Sequence, residues 1–379
     1  MYPTFSLIII CRNEERVIKR CLNAISKELG IDDEIVVVDT GSTDKTLNII
    51  SEFGNTVHLY HFKWIDDFAA ARNFGINKAT KDWIFFIDSD EVLRKNGLGH
   101  LREYIKKVEE RSLSSEEIVF SPKIVNTNDT IGYNSPSIMK NNGNVIFEGC
   151  VHEYPILLTD SKKMVRLKLP DVILDHDGYE ESVVEDKDKA KRNTKLIKSI
   201  LDKDPNNARY YYFYYRDARP FLTDQEYEKG MEDFFEKFPN DPYGSKIAKD
   251  FALYWIQKGE NEEAEKYIRF LLKNTSSENK EDHFSALLLT GVNEIGKVKV
   301  KQKEILQLLI VSQENMLKDE QSIFEKGYEF DALIGYLFFQ LENYQEAKKI
   351  YKKLSENNYR SHLDEMFDKL KESGVADEV

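Results

Sequence analysis

The sequence predicts a doubly wound α/β domain followed by an all-α repeat domain, on three observations. Strand-like and helix-like patterns alternate through roughly the first 90 residues, the rhythm of βαβ units and a parallel sheet. After about residue 186 the pattern becomes helical. In that half, Pro205 and Pro239 occupy the same local position in "DPNNARYYY" and "FPNDPYGSK", 34 residues apart, which is the period of a helix–turn–helix repeat of the tetratricopeptide kind. At 379 residues the chain is also long enough that two domains are the default expectation.

In chain order, "FSLIII" reads as the first strand. "NEERVIKRCLNAIS" places Val17, Ile18, Cys21, Leu22 and Ile25 on one helical stripe. "DEIVVVD" is a continuous apolar run, as in strands covered on both faces. "STDKTLNIISEF" opens on capping residues and continues amphipathic, "TVHLYHF" is a third strand, and "DDFAAARNFGINKAT" is a helix expected to be capped by Asp66. "DWIFFID" is the fourth strand. From about 92 to 180 short strands such as "EIVFSPKIV" and "NVIFEGCVHEY" alternate with Asn- and Gly-rich turns, a β-rich extension of the same domain. Ala264 in "GENEEAEKYIRFL" and Ala347 in "LENYQEAKKIYKKL" are the expected small packing residues of later repeats. The boundary is expected in "VVEDKDKAKRN", dividing 1–185 from 186–379.

Composition excludes several classes. A net charge of −13 opposes binding to a nucleic-acid backbone. No apolar run approaches the roughly 18 residues that span a bilayer. The first residues lack a basic region and a cleavage site, so they read as a strand and not as a signal peptide. Three scattered cysteines suit a reducing cytoplasm.

Chemistry concentrates at strand ends. Open α/β sheets bind ligands at the carboxyl ends of their strands. Three polar clusters fall there: Arg12-Asn13-Glu14, Asp39 to Asp44, and Asp88-Ser89-Asp90. Each by itself is an ordinary turn or cap; three on successive strands suggest a crevice. The "WIFFIDSDEV" stretch raises the sharpest question, because Asp88, Asp90 and Glu91 crowd together where each raises the others' pKa. A positive group is expected among them. The glycine fingerprints of dinucleotide and P-loop sites are absent. A D-x-D pair instead suits a divalent cation that bridges a diphosphate and stabilises it as a leaving group. Arg72 is placed either to grip a phosphate or to pair with Asp66 or Asp67 on its own helix.

Taken together, "IIICRNEE", "IVVVDTGSTDKT", "DDFAAARNFGINKA" and "DWIFFIDSDE" resemble the successive motifs of family-two glycosyltransferases, which have a Rossmann-like nucleotide-diphospho-sugar fold. "FEGCVHEYP", "LDHDGY" and "DKAKRN", followed by tetratricopeptide-like helices, resemble the subgroup of sublancin-type peptide S-glycosyltransferases. The resemblance implies a metal-dependent, inverting transfer from a nucleotide sugar, most often a UDP-sugar, to a Cys or Ser/Thr side chain of a peptide such as a bacteriocin precursor. It implies that Ile10, Arg12, Asp39, Arg72, Asp88 and Ser89 contact the nucleotide sugar, Asp39 at the base, Arg72 at the diphosphate and Asp88 on the ribose side. Arg12 stands where the family often has an aromatic residue. Asp90 and His176 are implied as ligands of Mn or Mg, and Glu153 or His152 as general base. The competing readings of these residues are a surface-loop histidine at 176 and a strand-edge acid at 153. Synthesis of a surface polysaccharide or glycolipid, and a non-catalytic repeat scaffold, are the alternative functions.

Two further features stay open. Lys189, Lys191 and Arg192 are either a lid over the diphosphate or a solvated helix face. In "RYYYFYYRDAR", Tyr211, Tyr214 and Tyr215 fit the packing stripe of a repeat helix. The remaining tyrosines suit an acceptor groove or a homodimer contact of the helical domain.

Overall fold

The computed structural model describes residues 2–111, 116–127, 130–133, 136–176, 183–238, 240–274, 280–316 and 327–360. Pro239, Lys189 and the tail after His176 in "DHDGY" lie outside what is described, apart from the helical backbone at 189. By packing, the chain divides into Met1–Tyr227 and Glu228–Val379. The division falls later than the change of composition because the first two helices of the C-terminal half pack onto the sheet unit.

In the first unit β1 (Phe5–Cys11), α1 (Ile18–Ser26), β2 (Glu34–Asp39), α2 (Thr46–Ser51), β3 (Val57–His61), α3 (Phe68–Ile76) and β4 (Trp83–Phe86) follow the expected alternation. Their strands run parallel in the order β3-β2-β1-β4. Side chains alternate across the sheet as a pleated strand requires. Leu7, Ile9, Ile35, Val37 and Phe85 face α1, whereas Ile8, Val36, Val38, Ile84 and Phe86 face α3. Gly75 of α3 allows the close approach, since a Cβ there would stand 2.8 Å from the Ile8 side chain. The cap of α3 is Asp67 and not Asp66: Asp67 accepts from the Ala70 amide at 2.8 Å, while Asp66, at φ +59°, accepts from Trp64 Nε1.

Beyond β4 the sheet becomes mixed. β5 (Glu91–Leu93), β6 (Glu116–Asn126), β7 (Ile131–Gly132), β8 (Ile138–Lys140) and β11 (Lys163–His176) continue it as β4-β8-β6-β11-β5, with β7 on β6. An unanticipated helix, α4 (Gly97–Glu109), buries Leu98, Leu101 and Ile105 against it. The stretch read as one strand, "NVIFEGCVHEY", is a hairpin of β9 (Val145–Glu148) and β10 (Tyr154–Leu157). It turns within Gly149–Glu153, where Gly149 and His152 have positive φ. Helices α5 (Val183–Leu201) and α6 (Ala208–Ala218) complete the unit.

The second unit is helical. Helix α7 (Asp224–Lys237) leads into it, and α8 (Gly244–Lys258) packs on α9 (Asn261–Asn274), as α11 (Tyr328–Gln340) packs on α12 (Tyr344–Glu356). Ala264 and Ala347 are fully buried between these pairs, as their size requires. Helix α10 (Lys280–Met316) is 37 residues long.

A buried carboxylate ties the parallel core together. Glu34 accepts from Ser6 Oγ at 2.6 Å and from the Thr80 amide at 2.6 Å. Burial alone would raise its pKa, but these hydrogen bonds and Lys81 hold it below the ordinary value. A depressed carboxylate pKa stabilises the fold above the unfolded value, about 4.3, and that contribution is lost as pH falls from there through the lower folded-state pKa. Replacing Glu34 by Gln is expected to cost about 1–3 kcal/mol near neutral pH, with a smaller penalty in acid, as read by urea unfolding at the two pH values.

Candidate active site

The order β3-β2-β1-β4 reverses direction between β1 and β4, where open α/β sheets bind ligands. A cavity of about 370 Å³ opens there. Strand β1 contributes Ile10, and the loop after it Glu14. Helix α3 contributes Phe68 and Arg72, and the β4–β5 turn contributes Asp88, Ser89 and Asp90. The hairpin turn adds Val151, His152 and Glu153, and α5 adds Arg192 and Asn193.

The positive group required by the carboxylates is Arg72. Its Nε donates to Glu153 Oε1 at 2.7 Å and its Nη2 to Asp88 Oδ1 at 3.4 Å. The guanidinium lies 4.9 Å from the Phe86 ring centre and 5.3 Å from that of Phe147, a favourable setting for a cation. Burial works against the charge, yet Asp88 and Glu153 raise the Arg72 pKa above its ordinary value. Arg72 therefore pairs across the cavity and not with Asp66 or Asp67 on its own helix.

The three crowded carboxylates have separate fates. Asp88 opens on the cavity beside Arg72. Asp90 points Oδ2 at His176 Nε2, 3.2 Å away. Glu91 turns inward, 5% exposed, and accepts from the Asp88 amide at 2.9 Å, bracing the turn. Its burial and the Asp88 charge push its pKa well above the usual carboxylate range.

Strand register brings His176 to Asp90. His176 is paired with Glu91 on β5 and with Asn126 on β6. Asn126 Oδ1 stands 3.1 Å from His176 Nδ1 and fixes the proton on that nitrogen. In the neutral ring the Nε2 lone pair then faces the Asp90 carboxylate, a contact that a shared cation or a second proton makes favourable. One nitrogen and one oxygen donor so disposed fit a divalent ion such as Mn that draws its other ligands from a bound substrate and water. Among the described residues no group of three His, Cys, Asp or Glu forms a complete metal site.

Two expected nucleotide contacts stand outside the cavity lining. Asp39 is 3% exposed, and its oxygens accept from the Gly41 and Ser42 amides, with His61 Nδ1 3.4 Å away. It shapes the loop after β2. Arg12 is exposed, near enough to Arg192 to lower that residue's pKa, after the larger effect of burial. Arg192 in turn lies 5.3 Å from the Phe68 ring centre at the cavity.

The sequence reading overlooked Phe68, Val151 and Asn193 in the lining, and the role of α6. In that helix the rings of Tyr211 and Tyr215, one turn apart, lie 5.1 Å from each other, and Arg209, Phe213 and Asp217 reach the hairpin turn. The i, i+4, i+8 spacing of these three was the available signal.

Residues 6–135 match glycosyl transferase family 2. The SPbeta prophage-derived glycosyltransferase SunS of Bacillus subtilis is 28% identical over 369 residues, covering 95% of this chain and 83% of that protein. A TPR repeat-containing protein of Synechococcus elongatus is 41% identical over 104 residues, which is 27% of this chain and 25% of the relative. The crystal structure of S. aureus TarS aligns with a TM-score of 0.40 at 17% identity, over 65% of this chain and 50% of that one, a likeness too slight to carry an argument. The likeness to glycosyl transferase family 2 thus spans β1 to β7, and the likeness to SunS runs along nearly the whole chain.

Because Arg72 and Glu153 are both largely buried, removing one partner strands the other. Arg72→Met is expected to destabilise the first unit by about 3–5 kcal/mol. The double variant Arg72→Met/Glu153→Gln should recover a substantial part of that loss in chemical denaturation. Additive losses would show that the pair is not coupled.

Proposed function

We propose that the chain moves a sugar, with inversion, from a nucleoside diphosphate donor to a Cys or Ser/Thr side chain of a peptide. The observation that carries this reading is Arg72, which spans the cavity from the D-x-D turn to Glu153 and so links a donor end to an acceptor end. The donor is UDP-linked in this reading, with Ile10, Arg12 and Asp39 bounding the nucleoside, Asp88 and Ser89 the ribose, and Arg72 the diphosphate. Asp90 and His176 hold Mn or Mg. When bound, that cation offsets the charge that develops on the departing diphosphate.

Glu153 takes the acceptor's proton. As its Oε binds that proton, the freed sulfur or oxygen lone pair forms the bond to the anomeric carbon, and the C–O bond to the diphosphate breaks from the opposite face. The electron pair leaves on the nucleoside diphosphate. A thiol asks less of the base than a hydroxyl does, because it ionises more readily. The peptide acceptor is supported by similarity to the sublancin-type enzymes along nearly the whole chain. The division of labour, 1–185 for chemistry and 186–379 for acceptor binding or dimerisation, belongs to the same reading. No described helix is long and apolar enough to cross a membrane.

The helical region pairs with a second copy of the chain in this proposal. Phe284, Leu288, Ile295, Val298 and Ile305 of α10 are exposed, between 42% and 70%, and follow the 3.5-residue repeat of a two-helix seam. Light scattering is expected to give twice the chain mass, and half of that for Leu288→Glu/Ile295→Glu. A monomeric wild type would remove the seam.

Thermal shift with UDP- and GDP-sugars, with and without Mn, tests the donor site. One donor is expected to stabilise the protein by about 2.7 kcal/mol at a hundredfold excess over Kd, only with metal, and not in Asp90→Ala. Glu153→Gln should keep that stabilisation yet lose about 10²–10⁴ in transfer rate to a Cys- or Ser-containing peptide. Absence of stabilisation by every donor under every metal would sink the transferase site as drawn.

A further inference from the structure

The hairpin turn that carries Glu153 is held in a conformation its own sequence does not favour. His152 has φ +53°, in the left-handed region that residues other than glycine seldom adopt unless their surroundings hold them there. Helix α6 supplies the hold. Arg209, Phe213 and Asp217 share one face of α6, and each engages the turn. Arg209 Nη2 donates to the His152 carbonyl oxygen, and its guanidinium lies 3.8 Å from the Tyr154 ring centre. Phe213 stacks on the His152 imidazole with centroids 4.2 Å apart and planes 21° from parallel. Asp217 Oδ2 stands 2.6 Å from His152 Nε2.

Asp217 stays ionised. Burial would raise its pKa, but the hydrogen bond from His152 and the Arg216 guanidinium, 2.8 Å away, hold it below the ordinary carboxylate value. The ionised acceptor at 2.6 Å calls for the hydrogen on His152 Nε2, beside which Arg216 Nη2, itself a donor, stands at 3.0 Å. The ring and carbonyl of 152 and the ring of 154 thus face α6. Glu153, between them, points the other way, to Arg72.

We propose that Asp217 is a positioning residue: with Phe213 and Arg209 it makes His152 an anchor, aims Glu153 into the cavity, and leaves Glu153 and not His152 to take the acceptor's proton. The proton-acceptor part rests on the transferase reading above; the anchoring part does not.

Two readouts separate them. Amide exchange across residues 149–154 is expected to quicken in Asp217→Leu and in Arg209→Gln. It should stay near wild type in Asp217→Asn, whose amide oxygen still accepts from Nε2–H. Transfer by Asp217→Leu should lose about 10²-fold in kcat while the donor KM holds, with Asp217→Asn restoring most of it. His152→Gln, which can still donate to Asp217 but gives up the stack on Phe213, should lose no more kcat than Asp217→Leu and less than Glu153→Gln. Unchanged exchange in both Asp217→Leu and Arg209→Gln overturns the anchor. A His152→Gln variant as inactive as Glu153→Gln overturns the assignment of the base. If Asp217→Leu does not fold, Arg209→Gln carries the exchange test by itself. If the wild type transfers no sugar, the transferase reading falls while exchange still decides the anchor.

Discussion

One guanidinium organises the cavity at the strand ends of this protein. Arg72 enters from α3 and reaches a carboxylate at the end of β4 and another in the β9–β10 turn. Without that charge, Asp88, Asp90 and Glu153 would be like charges around one cavity, each raising the cost of ionising the others. The rings of Phe86 and Phe147 on the same sheet face give the cation a low-dielectric seat. Packing of α3 against β1 through Gly75 sets where that seat lies. The site is thus an electrostatic solution imposed on a hydrophobic frame.

The second constraint is the hairpin turn. Its geometry depends on residues some sixty positions later, since Asp217 and Phe213 hold His152 from α6. The unit defined by packing therefore extends to Tyr227, past the point where composition changes. Chemistry placed on a turn needs such support, because a loop by itself leaves its side chains too free for reaction geometry. The same logic holds at His176, where Asn126 orients one ring nitrogen and leaves the other toward Asp90.

Much of the fold was legible from local pattern. Continuous apolar runs such as Ile35–Val38 marked strands covered on both faces, and the stripe Ile18, Cys21, Leu22, Ile25 marked α1. Ala264 and Ala347 were legible as packing residues because only a small side chain fits between paired helices. Helix α4 was missed: Gly97 and Gly99 fall in its first turn, and glycine weakens the helical pattern there. The hairpin was missed because β9 and β10 read as one run, and the turn lies in "GCVHE", where the strain falls on a histidine and not on a typical turn residue.

Of the candidate site, sequence by itself determined the chemical types and their attachment to strand ends: a D-x-D turn after β4, an arginine on α3, and an order of motifs similar to that of family 2. Those follow from near neighbours along the chain, where periodicity and capping operate. Only the tertiary structure decided which charges meet. Arg72 chose Glu153 and Asp88 over its helical neighbours Asp66 and Asp67. Glu91 turned inward to brace the turn, Asp39 spent its oxygens on its own loop, and α6 took hold of His152. Such pairings join residues tens of positions apart through strand register and helix docking. Their energies depend on burial and distance, quantities that a linear pattern does not contain.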